Sequence, residues 1–204
     1  EVNVAGNILY TGNASIGSDI TTSSTGRVEI TGDTTLIADV RIQTDNQSIV
    51  FGGGINSDGN ERSLILSSGI ASTTVASPIG NTGSLSSLEI GGSGVIALSG
   101  IGGTSSGVTG AISIGGAIGG ITLNSGAYVT SNEQLYSGAI TLAGDVDMQV
   151  LGNYPVTFTG AVNGGHALSV ATEGTLYLTQ AVGGTVRPSS FSADRKSTRL
   201  NSSH

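Results

Sequence analysis

The apolar residues of this chain come as short i, i+2 pairs, among them Val28/Ile30, Ile49/Phe51, Leu64/Leu66, Ile96/Leu98, Ile112/Ile114 and Val156/Phe158. A period of two places both members of a pair on one face of a β-strand, whereas a helix face needs steps of three and four. Gly-, Ser- or Asn-rich steps separate the pairs, and from about residue 141 onward their centres recur every six to ten residues. Each strand therefore carries only two or three inward side chains. A hairpin meander of such strands would have a thin core and many open edges. Composition points the same way: 34 Gly, 29 Ser and 23 Thr are middling or poor helix formers that suit strands and tight turns. Disorder is disfavoured by a hydrophobic fraction of 37%, a charged fraction of 10% and only three Pro.

The chain also matches itself. Thr35-Leu36-Ile37-Ala38-Asp39-Val40-Arg41-Ile42-Gln43 parallels Thr141-Leu142-Ala143-Gly144-Asp145-Val146-Asp147-Met148-Gln149, and Ile49-Val50-Phe51 parallels Val156-Thr157-Phe158. Leu64–Leu66 then parallels Leu168–Val170, and Ile79-Gly80 parallels Val182-Gly183. The offsets are 106, 107, 104 and 103, so residues of about 35–91 and 141–193 form two copies of a ~105-residue unit. A fainter copy runs from Tyr10 to Gly32 and echoes Tyr136 to Gly160.

A solenoid accommodates such strands. Three per coil of roughly 20–25 residues stack on the coils above and below, so that every strand pairs on both sides. The expected fold is all-β, a parallel β-helix of about eight or nine coils and about 40 Å long over residues 1–193. Tandem β-sandwich repeats are the alternative, since ~105 residues suits a sandwich domain, although sandwich strands are longer and alternate more regularly.

Three stretches of the second copy resemble a known group. Tyr136-Ser137-Gly138-Ala139-Ile140-Thr141-Leu142 with Asp145-Val146, then Val156-Thr157-Phe158-Thr159-Gly160-Ala161-Val162-Asn163-Gly164, then Ala181-Val182-Gly183-Gly184-Thr185 are similar to the strand repeats of filamentous-haemagglutinin-like adhesins and related autotransporter passengers. The resemblance covers nearly all of residues 8–193 and is a likeness of repeat style. It implies a right-handed β-helix of a secreted bacterial surface protein, exported through an outer-membrane pore and serving as a non-catalytic stalk or adhesive fibre. The partners it implies are host or neighbouring-cell surface glycans or proteins, with no cofactor.

The last eleven residues, Asp194 to His204, read DRKSTRLNSSH. Back-translated, they resemble the start of a sequencing-library adapter, which makes 194–204 a non-native tail, expected to be disordered, and residue 193 a truncation point. This tail holds the only Lys, Lys196, and two of the six Arg. Without it the chain has 13 acidic groups against four Arg. A Lys-free acidic surface lacks the phosphate contacts of nucleic-acid binding and is repelled by anionic lipid headgroups. No apolar stretch approaches a membrane span. With no Cys there are no disulfides, thiolate metal sites or Cys nucleophiles.

Few residues suggest chemistry. Asp39 and Asp145 recur at one repeat position, with Asp19 in the fainter copy, and a residue that recurs with its coil reads as a turn or strand-start residue. Asp145-x-Asp147 places two carboxylates on one strand face about 7 Å apart, a spacing compatible with Ca²⁺ or a glycosidase pair, but Arg41 takes the second place in the first copy. Asn56-Ser57-Asp58-Gly59-Asn60-Glu61 has calcium-loop composition without calcium-loop spacing. Gly92-x-Gly94-x-x-Ala97 matches a dinucleotide fingerprint in form, but the residues that follow read as strand. His166 stands alone in a Gly-Gly-His-Ala turn, and Phe51 and Phe158 read as core. Asn13-Ala14-Ser15 and Asn46-Gln47-Ser48 are glycosylation sequons, relevant only in a glycosylating host. No catalytic, cofactor or metal residue is assigned. A polysaccharide-degrading β-helix enzyme is the alternative function, and a self-assembling matrix protein with end-to-end association is a third.

Overall fold

The structure, a computed structural model, describes residues 1–23, 25–116 and 118–195. Strands of two to six residues wind through them as a β-solenoid of about nine turns, and every strand pairing is parallel. The expected all-β solenoid is the observed fold, and no antiparallel sandwich sheet occurs among the described residues.

Three faces run the length of the rod. Face A holds nine strands, from Val2–Val4 to Leu176–Leu178, and face B holds eight, from Ile8–Tyr10 to Val162–Asn163. Face C starts with Ala14–Ile16, Thr34–Leu36 and Ile55–Ser57 and ends with Gly126–Thr130, Val146–Val150, Ala167–Thr172 and Ser190–Arg195. Between these groups only single bridges continue face C, running Ile55 to Ile79 to Ile101 to Tyr128. The Gly- and Ser-rich sequence there has too few apolar pairs for full strands.

Register converts the i, i+2 pairs into columns. On face A, Val2, Ile20, Ile42, Leu66, Ile90, Ile114, Tyr136, Phe158 and Leu178 lie over one another. All are buried except Val2 and Leu178 at the two ends. Each buried Leu, Ile or Phe contributes about 1.5–3 kcal/mol, and stacking like on like leaves few voids. Steps between coils are near the expected length: Val40, Leu64, Leu88 and Ile112 follow one another at intervals of 24 residues.

The two matched copies occupy different faces. Val40–Thr44 belongs to face A and its match Val146–Val150 to face C; Ile49–Phe51 belongs to face B and its match Val156–Phe158 to face A. The fainter copy is turned in the same sense, since Val28–Ile30 is on face B. About 105 residues is close to four and two-thirds coils, so each match falls two faces further on, which is one face short of a whole turn. The repeated element is a strand with its corner, one third of a coil.

One stretch of the core is polar. Ile101 and Tyr128 are successive members of their column, a step of 27 residues, and the neighbouring step from Ile121 to Ile140 is 19. Inside this irregular coil the buried Gln134 amide donates to Tyr128 O at 2.9 Å, Thr130 Oγ1 at 3.1 Å and Gln149 O at 3.1 Å. Its Oε1 accepts the Tyr136 hydroxyl at 3.1 Å, and the Tyr128 hydroxyl donates to Leu98 O at 2.8 Å. Every polar atom of the buried Gln134 side chain is thus partnered, which is what burial demands. Burial drives both the Tyr128 and Tyr136 hydroxyl pKa values up.

The tail contributes Asp194 and Arg195 to the last strand, where they pair with Ala171 and Thr172. Residues 196–204 lie outside the described residues.

Candidate functional site

The most regular chemistry on the rod is a set of Asn and Asp residues directly before strands. Asn7, Asn13, Asp19, Asp33, Asp39 and Asp145 each precede the first residue of a strand. Each sends Oδ1 across to the next coil, where it accepts one backbone N–H. The donors are Arg27 for Asn7 (3.0 Å), Asp33 for Asn13 (3.0 Å) and Arg41 for Asp19 (2.8 Å). Gly54 donates to Asp33 (2.8 Å), Ser63 to Asp39 (2.9 Å) and Ala167 to Asp145 (2.9 Å). Arg27, Asp33 and Gly54 stand one residue before the strands they lead into, Ser63 and Ala167 are the first residues of theirs, and Arg41 is the second of Val40–Thr44, so the staples secure amides where the strands begin. Asn46 at a corner, Asn56 within the strand Ile55–Ser57 and Asn163 at the end of Val162–Asn163 do the same, reaching Ile70, Thr82 with Gly83, and Thr185 with Val186. The residues are staples between coils.

This places the recurring acids. Asp39 and Asp145 match in sequence because both staple, though on different faces. The Ser63 amide holds the Asp39 carboxyl below its ordinary value, with smaller help from the Ser63 hydroxyl and the Arg62 charge. The sequence reading gave Asp19, Asp39 and Asp145 a structural role but not Asn7, Asn13, Asp33 or Asn163. Asn7, Asn13 and Asp33 share a signal, an Asn or Asp directly before the first residue of a strand, whereas Asn163 closes the strand Val162–Asn163.

The other candidates are distributed rather than gathered. Asp145 and Asp147 both face outward on face C, above a shallow depression of 320 Å³ that Ser169, Ser190 and Ser192 also line. Each carboxylate has its own partner: Asp145 the Ala167 amide, with His166 Nδ1 3.7 Å away, and Asp147 the Gln149 side-chain amide at 2.9 Å. Among the described residues no three His, Cys, Asp or Glu side chains converge.

In the Asn56–Glu61 loop both Asp58 oxygens take Arg62 guanidinium hydrogens at 3.0 Å, and Arg62 holds the Asp58 carboxyl down to about 2. Glu61 accepts the Thr109 hydroxyl at 3.0 Å. The oxygens that a cation would need are bonded to internal donors.

After Gly92-x-Gly94 comes the strand Ile96–Leu98, where a dinucleotide site requires a helix. Phe51 and Phe158 are buried core, on faces B and A, and Phe158 lies 5.4 Å from the Tyr136 ring. Asn13 and Asn46, the two sequon asparagines, are both staples.

No protein family, no curated protein and no solved structure matches this chain.

Proposed function

We propose that this chain is a stalk or adhesive-fibre segment of a secreted bacterial surface protein, acting mechanically rather than catalytically. The observation that carries the reading is the staple set. The acids that recur in the sequence are bonded to backbone amides one coil away, where they join coils along the rod axis. A rod of parallel coils, each hydrogen-bonded to the next through backbone and staple, transmits load along its length. Its flanks, rich in Ser and Thr, suit broad and weak polar contacts with surface glycans or proteins better than enclosure of one small substrate.

The test is to pull the full 204-residue chain by its two ends and, separately, to incubate it with acidic polysaccharides. A stalk bears load and releases length in steps of about one coil, and the polysaccharides stay intact. Release of unsaturated or reducing sugar ends, lost in Asp147→Asn, would overturn the reading in favour of a polysaccharide-degrading enzyme.

A further inference from the structure

Face C is interrupted in the middle of the rod, away from both ends. The bridge columns Ile79–Ile101–Tyr128 and Leu85–Val108–Thr130 run side by side through three coils. In the last of these coils Tyr128 reaches Thr130 through Val129 alone. In the two before it, Ile79 reaches Leu85 through residues 80–84 and Ile101 reaches Val108 through residues 102–107. The columns leave room for one residue between them, so the surplus bulges from the face as two stacked loops. Residues added to a coil of a solenoid map to loops on one face, often the binding face.

The two loops follow one plan. Gly80-Asn81-Thr82-Gly83-Ser84 matches Gly102-Gly103-Thr104-Ser105-Ser106, and each leaves its first bridge through a glycine in the left-handed region, Gly80 at φ 73° and Gly102 at φ 69°. Asn81 Oδ1 sits 2.5 Å from where a Cβ on Gly103 would be, so the second loop needs a glycine under that side chain. A ladder of hydroxyls fixes both loops: Ser57 Oγ donates to Ser84 O at 2.7 Å, Ser84 Oγ to Ser106 O at 2.7 Å and Ser106 Oγ to Val108 O at 2.6 Å. The Asn56 staple holds the Thr82 and Gly83 amides from the coil before. These bonds use none of the side chains of Asn81, Thr82, Thr104 and Ser105, all four of which are exposed.

The ridge offers hydroxyls and an amide on a fixed backbone, without charge. Sugar hydroxyls suit such groups, because each donates one hydrogen bond and accepts others. A protein partner calls for an aromatic or Arg anchor in the middle of the contact, and residues 80–84 and 102–107 contain neither. An anionic partner meets repulsion. The neighbouring loop sets Asp58 and Glu61 against Arg62 alone, and Glu61 reaches the Thr109 hydroxyl, two residues past the second loop, at 3.0 Å.

We propose that the ridge of residues 80–84 and 102–107 is the rod's contact surface for neutral glycans, with Asn81, Thr82, Thr104 and Ser105 as the binding side chains. The hydroxyl ladder already orders the loops, so little conformational freedom is lost on contact. The surface is open and presents few groups, so a single contact is weak and many copies act together. The ridge lies mid-rod, in two of about nine turns, and a further coil at either end would leave it uncovered. The inference rests on the adhesive-fibre reading and gives it a site.

The test displays the full 204-residue chain in many copies on beads and measures their retention on coated surfaces. The coatings are neutral galactose- and glucose-terminated oligosaccharides, sialylated oligosaccharides, and a desialylated glycoprotein before and after enzymatic removal of its glycans. Retention is expected on the neutral oligosaccharides and on the glycoprotein that keeps its glycans. Asn81→Ala with Thr82→Ala, Thr104→Ala and Ser105→Ala should keep the melting temperature and lower retention at least about tenfold. Thr122→Ala with Thr141→Ala, at outward positions of face B, should leave retention unchanged. No retention on the neutral oligosaccharides would overturn the proposal, as would retention unchanged by the four substitutions or stronger on sialylated surfaces. Retention that survives removal of the glycans would overturn it in favour of a protein partner. The pulling experiment reads the stalk separately: a chain that bears load but binds no neutral glycan loses this site and keeps the stalk.

Discussion

The Asp39 carboxylate accepts the amide hydrogen of Ser63 at 2.9 Å, across the gap between one coil and the next. That bond lowers the Asp39 pKa, and the Arg62 guanidinium lowers the Asp58 pKa to about 2 in the adjoining corner. Both groups titrate below their unfolded value of about 3.8, so both stabilise the fold fully above that pH. Their contribution is lost as pH falls through the folded values, between about pH 4 and pH 2 for Asp58. Thermal melts across this range should show stability falling with acidity. Asp39→Asn keeps an accepting oxygen but cannot titrate, and Asp58→Asn loses the ion pair, so the double variant should melt with a shallower pH dependence. A slope unchanged from the parent would show that these two corners do not govern acid unfolding.

Gly32 sits where Gly12 of the coil above comes closest: a Cβ on Gly32 would lie 2.3 Å from the Gly12 carbonyl carbon, and one on Gly53 2.4 Å from that of Gly32. The obstacle is backbone, which cannot rotate away. Gly32→Ala should destabilise by about 2–4 kcal/mol, in the range of overpacking and backbone strain. Gly6→Ala meets nothing within 4 Å and should change stability by less than about 1 kcal/mol. Urea denaturation of the two variants checks the contrast.

Strands were legible in the sequence because an i, i+2 pair such as Leu64/Leu66 is a local property of the chain. Stacking was legible because strands so short need neighbours on both sides. The face on which each lies was not, since any face accepts the same pattern; Asp39 and Asp145 match in sequence yet belong to faces A and C. Staple chemistry was half legible. The recurrence of Asp19, Asp39 and Asp145 showed a structural residue, but its partner lies a coil away and is a backbone amide, to which any residue type contributes equally. Gln134 gave no signal at all. Its side chain is held by Tyr128 O, Thr130 Oγ1 and Gln149 O, groups that only the winding of the chain brings around it.

Tyr136 and Gln134 test how far that polar core is obligatory. Tyr136→Phe keeps the ring against Phe158 and deprives Gln134 Oε1 of its donor, at a cost of about 1–2 kcal/mol. Phe158→Ala removes a ring that is 1% exposed and should cost about 3–5 kcal/mol. Alkali should act through the same residues. Burial raises the Tyr128 and Tyr136 hydroxyls above the ordinary value of 10, so the neutral forms stabilise the fold below pH 10 and that contribution is lost as pH rises further. Tyrosinate absorbance removed by Tyr128→Phe with Tyr136→Phe should therefore emerge only as circular dichroism is lost. Its emergence from the intact fold would show that this core admits solvent.

Asn163 and Gly164 supply a chemical readout for the last coil. In an Asn-Gly pair the glycine nitrogen attacks the asparagine side-chain carbon, ammonia leaves, and water opens the resulting succinimide to Asp or isoaspartate. Here the Gly164 amide donates to Val186 O at 3.0 Å, while Asn163 Oδ1 accepts Thr185 and Val186 amides at 2.9 and 3.3 Å. Both reacting groups are held by the coil below, so deamidation requires that coil to open, and its rate follows the open fraction. Peptide mass spectrometry should find Asn163 converting at least about tenfold more slowly in the folded chain than in urea. Asn163→Ala, which forfeits two accepted hydrogen bonds at a part-exposed corner, should cost about 1–2 kcal/mol. Thr185→Pro removes one donor and should accelerate deamidation at Asn163 without changing it in urea. Equal rates in the folded and denatured chain would mean that the last coil is not docked on Asn163 in solution.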